Sequence, residues 1–313
     1  MKKMWTKVLG LLLAVQFLVA GCGGAQQKQT AKKAEQPVKA PAQAATLKKS
    51  VQGPLKITVI DVGKADSILI QLDGKNYLVD SGWQADGNSL VAKLRKLGVK
   101  SLNGAFLTHP HKDHIGGMIA VLNNFHVDRL YYTNVKNPES GLMNKVMKLV
   151  KDKKIPTTLV VAPMDIPLKD GASFKVFWPQ KTHIKVPGDT NINPNSMVMR
   201  FTYKNFTMMF TGDAYKESEA QIISLYPAKE LRSDVLKVGH HSSNTSTSTE
   251  WLKAVKPMVA VISCGNKPGE NKYPNKTTLK RLKTAGIKIY NTYTNGNITI
   301  TSDGDGYAVK GEK

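Results

Sequence analysis

Cysteine is nearly absent from this chain. Cys22 and Cys264 are the only two in 313 residues. If Cys22 is chemically modified, no intramolecular disulfide can form. Cys264 ends the apolar run Val259-Ala260-Val261-Ile262-Ser263-Cys264, a buried-strand pattern that makes it a packing residue and not a nucleophile. Acidic residues are also few, 23 against 45 Lys and Arg, for a formal net charge of +22. No long apolar run occurs either. Residues 8–19, interrupted by Gly10 and Gln16, are too short for a membrane span. Residues 53–313 contain no linker-like stretch and no short-period repeat, so they read as one domain. At 41% hydrophobic the chain has enough apolar material for a core.

The first residues have the form of an export signal. Lys2, Lys3 and Lys7 precede the apolar run, which ends in Leu18-Val19-Ala20-Gly21-Cys22. Small residues before a single Cys resemble a bacterial lipobox, although an uncut anchor is the alternative reading. The lipobox implies that residues 1–21 are removed and that Cys22 is lipidated. The protein would then be held at the cell membrane, facing outside the cytoplasm. Residues 22–52 are rich in Gln, Ala, Lys, Pro and Thr. They carry too little apolar surface to offset the entropy of ordering and are expected to form a flexible tether.

From Gly53 the pattern turns to strands. Residues 55–63, 66–72 and 76–80 alternate as a meander, with Asp73-Gly74 as a hairpin turn. Helical spacing follows over 88–97, closed by Gly98. Short strands are expected at 104–108, 130–133 and 157–161, with helices at 115–122 and 141–151. A second β-rich half covers 174–178, 197–203 and 206–211. It is followed by a helix at 216–225, a strand at 234–238, a helix at 250–255, a strand at 257–264 and a helix at 277–285. Strands at 287–290 and 297–301 close the chain. Two such rounds imply two sheets with helices outside.

The strand at 104–108 delivers Thr108-His109-Pro110-His111-Lys112-Asp113-His114-Ile115-Gly116-Gly117. Three of the 7 histidines fall within six residues here. Residues two apart on an extended segment point the same way, so His109 and His111 can grip one ion. Asp113 and His114 follow a bend and can face a second. Imidazole and carboxylate suit borderline divalent metals.

Further motifs end strands in order: Asp61-Val62-Gly63-Lys64-Ala65-Asp66-Ser67, Leu78-Val79-Asp80-Ser81-Gly82, Asn195-Ser196, Phe210-Thr211-Gly212-Asp213 and Leu236-Lys237-Val238-Gly239-His240-His241-Ser242. Together with the histidine loop they resemble metallo-β-lactamase-fold hydrolases. More narrowly, they resemble the soluble C-terminal domain of ComEC-type competence proteins, here as a stand-alone version. The resemblance implies an α+β fold, an αββα sandwich of two mixed β-sheets with helices on the outer faces. It implies two divalent ions, zinc in the first place and manganese in the second. His109 and His111 would hold one ion, Asp113 and His114 the other, and Asp213 would lie between them. His240 or His241 would complete a site, with His240 ranked first as ligand and His241 left to donate a proton. Asp80 would orient ligand histidines. Asp66 is either a turn residue or part of the pocket. Two departures stand out. Asn195 occupies the region where many relatives place a third histidine, and becomes a weak ligand or water orienter. Near Pro274 the chain reads Asn271-Lys272-Tyr273, where relatives often carry Gly-His.

The implied chemistry is hydrolysis by a metal-activated hydroxide, with Asp113 or Asp213 taking the water's proton. Ser67, Ser196 and Ser242 are then loop hydrogen-bonders. Removing residues 1–21 and the net five charges of residues 23–52 leaves about +14 on the body, which favours polyanions. The lysines are nevertheless dispersed, with no tight basic run among aromatics. DNA is the first expected substrate. A phosphocholine ester, wall polymer or lactone is the second, and a non-catalytic DNA-binding lipoprotein the third. The competence-type motifs point away from β-lactams.

Overall fold

The computed structural model describes residues 45–265 and 273–313. The expected export signal, Cys22, most of the tether, and Asn271 and Lys272 lie outside the described residues. Two large sheets dominate. The first has nine strands in the order Thr46–Leu47, Gly306–Gly311, Ile298–Ser302, Leu55–Val59, Ile68–Leu72, Lys75–Val79, Gly104–Leu107, Leu130–Tyr132, Thr157–Leu159. The second has seven: Met164–Pro167, Ala172–Trp178, Val198–Tyr203, Phe206–Phe210, Val235–Lys237, Val259–Ile262, Lys288–Asn291.

Each sheet changes character partway across. The hairpin-linked strands pair antiparallel, and the strands separated by helices pair parallel, from Lys75–Val79 onward in the first sheet and from Phe206–Phe210 onward in the second. Parallel neighbours need a crossover, and helices supply it.

The period-two alternation of the strands sorts their side chains between layers. Leu55, Ile57, Val59, Ile68 and Ile70 meet Phe174, Met199, Phe201, Met208 and Val261 in a core between the sheets. On the opposite face of the first sheet, Leu69, Leu78, Ala105 and Leu107 pack on Leu90, Leu94, Val121 and Val146. On the outer face of the second, Met209, Leu236 and Ala260 pack on Ile222, Trp251, Val255 and Leu282. This is the αββα sandwich that the motif order implied. Cys264 is fully buried in the third cluster.

Several details differ from the sequence-based expectation, among them a further strand, Gly306–Gly311, after the last one expected. Thr46–Leu47, placed in the tether, forms a parallel edge strand on Gly306–Gly311, so strand pairing already occurs before Gly53. Met164–Pro167 is an additional edge strand, too short and too exposed to show alternation. The helix expected over 115–122 is two, Lys112–Ile115 and Met118–Asn124. Gly116 and Gly117 lie at the break because backbone passes so close. A Cβ on Gly116 would overlap Trp83 and Gln84, and one on Gly117 would overlap the carbonyl of Ser81.

Candidate metal centre

The parallel strands Lys75–Val79 and Gly104–Leu107 end side by side, so Asp80 and Thr108 meet. Asp80 leaves its strand in a left-handed turn, φ 57°. One carboxylate oxygen accepts the Thr108 backbone N–H at 2.9 Å; the other accepts the Thr108 hydroxyl at 2.7 Å and faces His114 Nδ1 at 2.8 Å. A carboxylate can only accept, so the proton between them sits on Nδ1. That leaves His114 Nε2 aimed at Asp213 Oδ1, 3.2 Å away.

Asp213 reaches this point through Thr211-Gly212. Gly212 has φ 46°, and a Cβ there would lie 3.1 Å from Ser196 and 3.2 Å from Thr108. Only glycine lets the two strand ends approach so closely. The Asp213 N–H donates to Ser196 Oγ at 3.2 Å. Its two oxygens then face different ways. Oδ1 lies 3.2 Å from His114 Nε2 and 3.7 Å from His241 Nε2; Oδ2 lies 3.8 Å from His109 Nε2 and 3.7 Å from His240 Nε2.

Both histidines of the last motif come from a short segment after Val235–Lys237. His240, His241 and Ser242 all have positive φ, 48°, 51° and 71°. Each such non-glycine residue costs about 1–3 kcal/mol and persists only where surroundings enforce it. The His240 N–H donates to the Gly212 carbonyl at 3.0 Å, which ties this turn to that of Asp213. His241 turns inward, fully buried, with Nδ1 3.1 Å from the Ser263 carbonyl. The bond fixes its tautomer, so Nε2 faces Asp113 Oδ2 at 3.5 Å. His240 stays at the rim, its Nδ1 2.9 Å from Thr245 Oγ1, and its ring stacks on Tyr215.

Two donor groups result. Asp113, His114, Asp213 and His241 offer ligand atoms within 4.8 Å of one another, as do His109, His111 and Asp213. Apart from the 3.2 Å approach of His114 Nε2 to Asp213 Oδ1, these two atoms and His241 Nε2 are buried without a hydrogen-bond partner. Orphaned buried polar atoms are costly. Three converging on one point, all of metal-ligating type, fit a divalent cation. A third acidic cluster, Asp66, Asp80 and His114, does not. Asp80 is spent on Thr108 and His114, and Asp66 is paired with the buried Lys237 at 2.9 Å.

Charge follows the same division. Burial works against a charged His114, but Asp213 and Asp80 outweigh it and hold its pKa well above the usual range. Burial likewise opposes the charge on Asp213 and Asp113. The neighbouring histidines overcome it and hold both below the ordinary carboxylate range. For His109, His111 and His240, burial dominates and lowers the pKa, so these rings are neutral and ready to ligate.

His109, His111, Asp113, His114, Asp213, His240 and His241 come together at this edge of the sheets, and two placements differ from the sequence-based expectation. The first concerns His240, ranked ahead as ligand. The paired left-handed turns send His241 inward to Asp113, His114 and Asp213, and leave His240 beside the His109 half. The second concerns Asn195. It is fully buried, and its amide is consumed. Oδ1 accepts from the Ile184 N–H at 3.1 Å, while Nδ2 donates to the Ile184 and Asn191 carbonyls at 3.0 and 2.8 Å. Asn193, two residues earlier, faces the centre instead, with Nδ2 3.4 Å from His240 Nε2 and Oδ1 buried and unpartnered. Asp66 lies beneath the centre, 3.7 Å from His241 Nδ1. Sequence reasoning missed Lys64, whose Nζ is 3.2 Å from Asp113 Oδ2, and Lys237. A lysine inside an apolar strand was the available signal for Lys237.

The profile described as "Metallo-beta-lactamase superfamily" matches residues 60–266. The chain is 27% identical over 263 residues to ComE operon protein 3 of Bacillus subtilis (strain 168), covering 78% of this chain and 32% of that one. It is 28% identical over 241 residues to competence protein ComA of Neisseria gonorrhoeae, covering 77% and 31%. Recombination protein 2 of Haemophilus influenzae is 28% identical over 250 residues, covering 78% and 28%. The chain thus spans about a third of the length of these relatives. Among solved structures, CmlA, a diiron β-hydroxylase from Streptomyces venezuelae, superposes with a TM-score of 0.53 at 12% identity, covering 81% of this chain and 55% of that one. That likeness concerns the fold alone.

Proposed function

The chain belongs to the metallo-beta-lactamase superfamily, and on that premise we propose that it is a metal-dependent hydrolase of phosphodiesters, with DNA as its first substrate. The observation that carries this reading is Asp213, which turns one carboxylate oxygen to each of two histidine groups. His109, His111 and Asp213 would hold one ion; Asp113, His114, His241 and Asp213 would hold the other. Two such ions, zinc or manganese, supply Lewis acidity and bring the pKa of a water toward neutrality.

The remaining work falls to this chain's own groups. Asp80 and the Ser263 carbonyl fix which nitrogen His114 and His241 present. With His241 occupied as a ligand, proton delivery to the leaving oxygen would fall to His240, the histidine of the pair left partly exposed at the rim, which must first take up a proton from solvent because burial holds its ring neutral. His240→Asn is therefore expected to slow cleavage of DNA, whose leaving group is a poor one, more than cleavage of bis-(p-nitrophenyl) phosphate. Equal loss on both substrates would remove His240 from that role. The dispersed excess of lysine and the competence relatives support DNA as substrate. The proposed place of action is the outer face of the cell membrane, through a lipidated Cys22.

The decisive experiment is metal analysis of purified protein coupled to a nuclease assay with zinc or manganese. The expected result is metal-dependent cleavage that His111→Ala abolishes. Protein that takes up neither ion sinks the reading. Turnover of the p-nitrophenyl ester with silence on DNA moves the substrate to another envelope ester. Salt-sensitive DNA binding without cleavage makes the protein a DNA-capturing lipoprotein.

A further inference from the structure

Lys64 is the cation nearest the donor carboxylates that no step above uses. Its loop is held firmly. The Lys64 carbonyl accepts the Trp83 indole N–H at 3.1 Å, the Gly63 N–H donates to Asp61 Oδ1 at 3.3 Å, and the Asp66 N–H donates to the Asp113 carbonyl at 3.1 Å. These bonds set the ammonium at the mouth of the centre, 20% exposed and 3.2 Å from Asp113 Oδ2. On its other side lies Tyr273, whose ring centroid is 5.1 Å from Nζ. The same ring stands 6.2 Å from His240 and edge-on at 6.4 Å to His241. It is positioned from below, since the Asn275 N–H donates to the Ser242 carbonyl at 3.1 Å and the Asn275 side chain caps the helix Lys276–Thr284.

We infer that Lys64 and Tyr273 form a nucleotide grip at the mouth of the centre, the ammonium binding a non-bridging phosphate oxygen and the ring stacking the attached base. The inference rests on the phosphodiesterase reading and names how this chain selects its substrate. A carboxylate that ligates a divalent ion has little attraction left for a second cation, so Lys64 needs another anion once Asp113 is engaged. A phosphate entering the centre is that anion, and lysine is a point-charge binder suited to it. An aromatic face adjoining such a cation meets the flat part of a nucleotide, and base–aromatic stacking tolerates any base. Lys64 and Tyr273 come from opposite halves of the chain, so only the closed sandwich brings them together.

The test compares three ligands on zinc-loaded protein by calorimetry. These are thymidine 5′-monophosphate, deoxyribose 5-phosphate, which lacks the base, and thymidine, which lacks the phosphate. None contains a diester, so none is turned over. Lys64→Gln is expected to weaken thymidine monophosphate roughly ten- to hundredfold, the loss of one charge-assisted hydrogen bond, and to leave thymidine unchanged. Tyr273→Leu is expected to weaken the monophosphate but not deoxyribose phosphate, and Tyr273→Trp to restore it. The inference is overturned if Lys64→Gln binds the monophosphate like wild type, or if Tyr273→Leu weakens both phosphates alike. It is also overturned if Lys64→Gln loses zinc, which would place Lys64 in the metal centre. Wild-type protein that hydrolyses bis-(p-nitrophenyl) phosphate yet does not bind the monophosphate sinks this inference alone. Failure to hydrolyse any diester sinks the phosphodiesterase reading while leaving the binding comparison intact.

Discussion

At the scale of single residues, the protonation of His114 connects structure to a measurable quantity. Asp213 and Asp80 raise its pKa well above the usual range in the metal-free protein, so Nε2 carries a proton that a cation must displace. The direction follows from the competition. Below the raised pKa, proton and metal compete and affinity climbs with pH; above it, the climb ends. Metal uptake near neutral pH is therefore expected to release about one proton from this residue, read as a dependence of the calorimetric heat on buffer ionisation enthalpy. Asp80→Asn keeps the shape but removes one of the two charges that raise the pKa. It also loosens the ring, and should lower metal affinity about 10- to 100-fold. An unchanged affinity would mean that Asp80 only ties two strand ends together.

The same scale shows what a sequence can disclose about such a centre. The residue types that gather at the centre and their order along the chain were legible, because His109, His111, Asp113, His114 and Asp213 sit at spacings that few other purposes require. Which member of a close pair turns inward was not. Asn193 and Asn195 flank one proline in a 3-10 turn, and His240 and His241 are adjacent. Their roles depend on backbone handedness, and three consecutive positive φ angles leave no mark in the identity of non-glycine residues.

At the scale of elements, alternation made most strands readable, since each has one face on the inter-sheet core and one under helices. Edge strands such as Thr46–Leu47 and Met164–Pro167 have too few buried positions to announce themselves. The broken helix is different: Gly116-Gly117 was visible, but its reason lies in the loop from Ser81 to Gln84. The Gly117 N–H donates to the Gly82 carbonyl at 3.2 Å, and the Ser81 N–H donates to the His114 carbonyl at 2.6 Å. This contact carries Asp80 and His114 on its two sides. Gly117→Ala inserts a methyl where the Ser81 carbonyl stands. It is expected to cost about 1–3 kcal/mol by overpacking, seen as a lower unfolding midpoint, and to weaken metal binding with it. Lost stability with unchanged affinity would show that the loop moves without disturbing the Asp80–His114 bond.

At the scale of the whole molecule, the fold and the edge at which the donor residues gather were legible together because several motifs fall, in order, at strand ends that the two sheets bring to one edge. Charge is a separate property. The formal net charge of +22 comes from lysines dispersed along the sequence, and among the described residues no helix is long and apolar enough to cross a membrane. A dispersed surplus holds a polyanion through counterion release, without fixing its sequence. It acts on long substrates and hardly at all on a small diester with a single charge. Raising salt is therefore expected to raise the KM for DNA steeply, with a log–log slope that grows by about 0.7 per single-strand phosphate contacted. The kcat/KM for bis-(p-nitrophenyl) phosphate should stay nearly flat across the same range. Parallel salt dependence of the two substrates would trace the effect to the centre itself, to Lys64 and the donor carboxylates, and would strip the dispersed lysines of any part in gripping DNA.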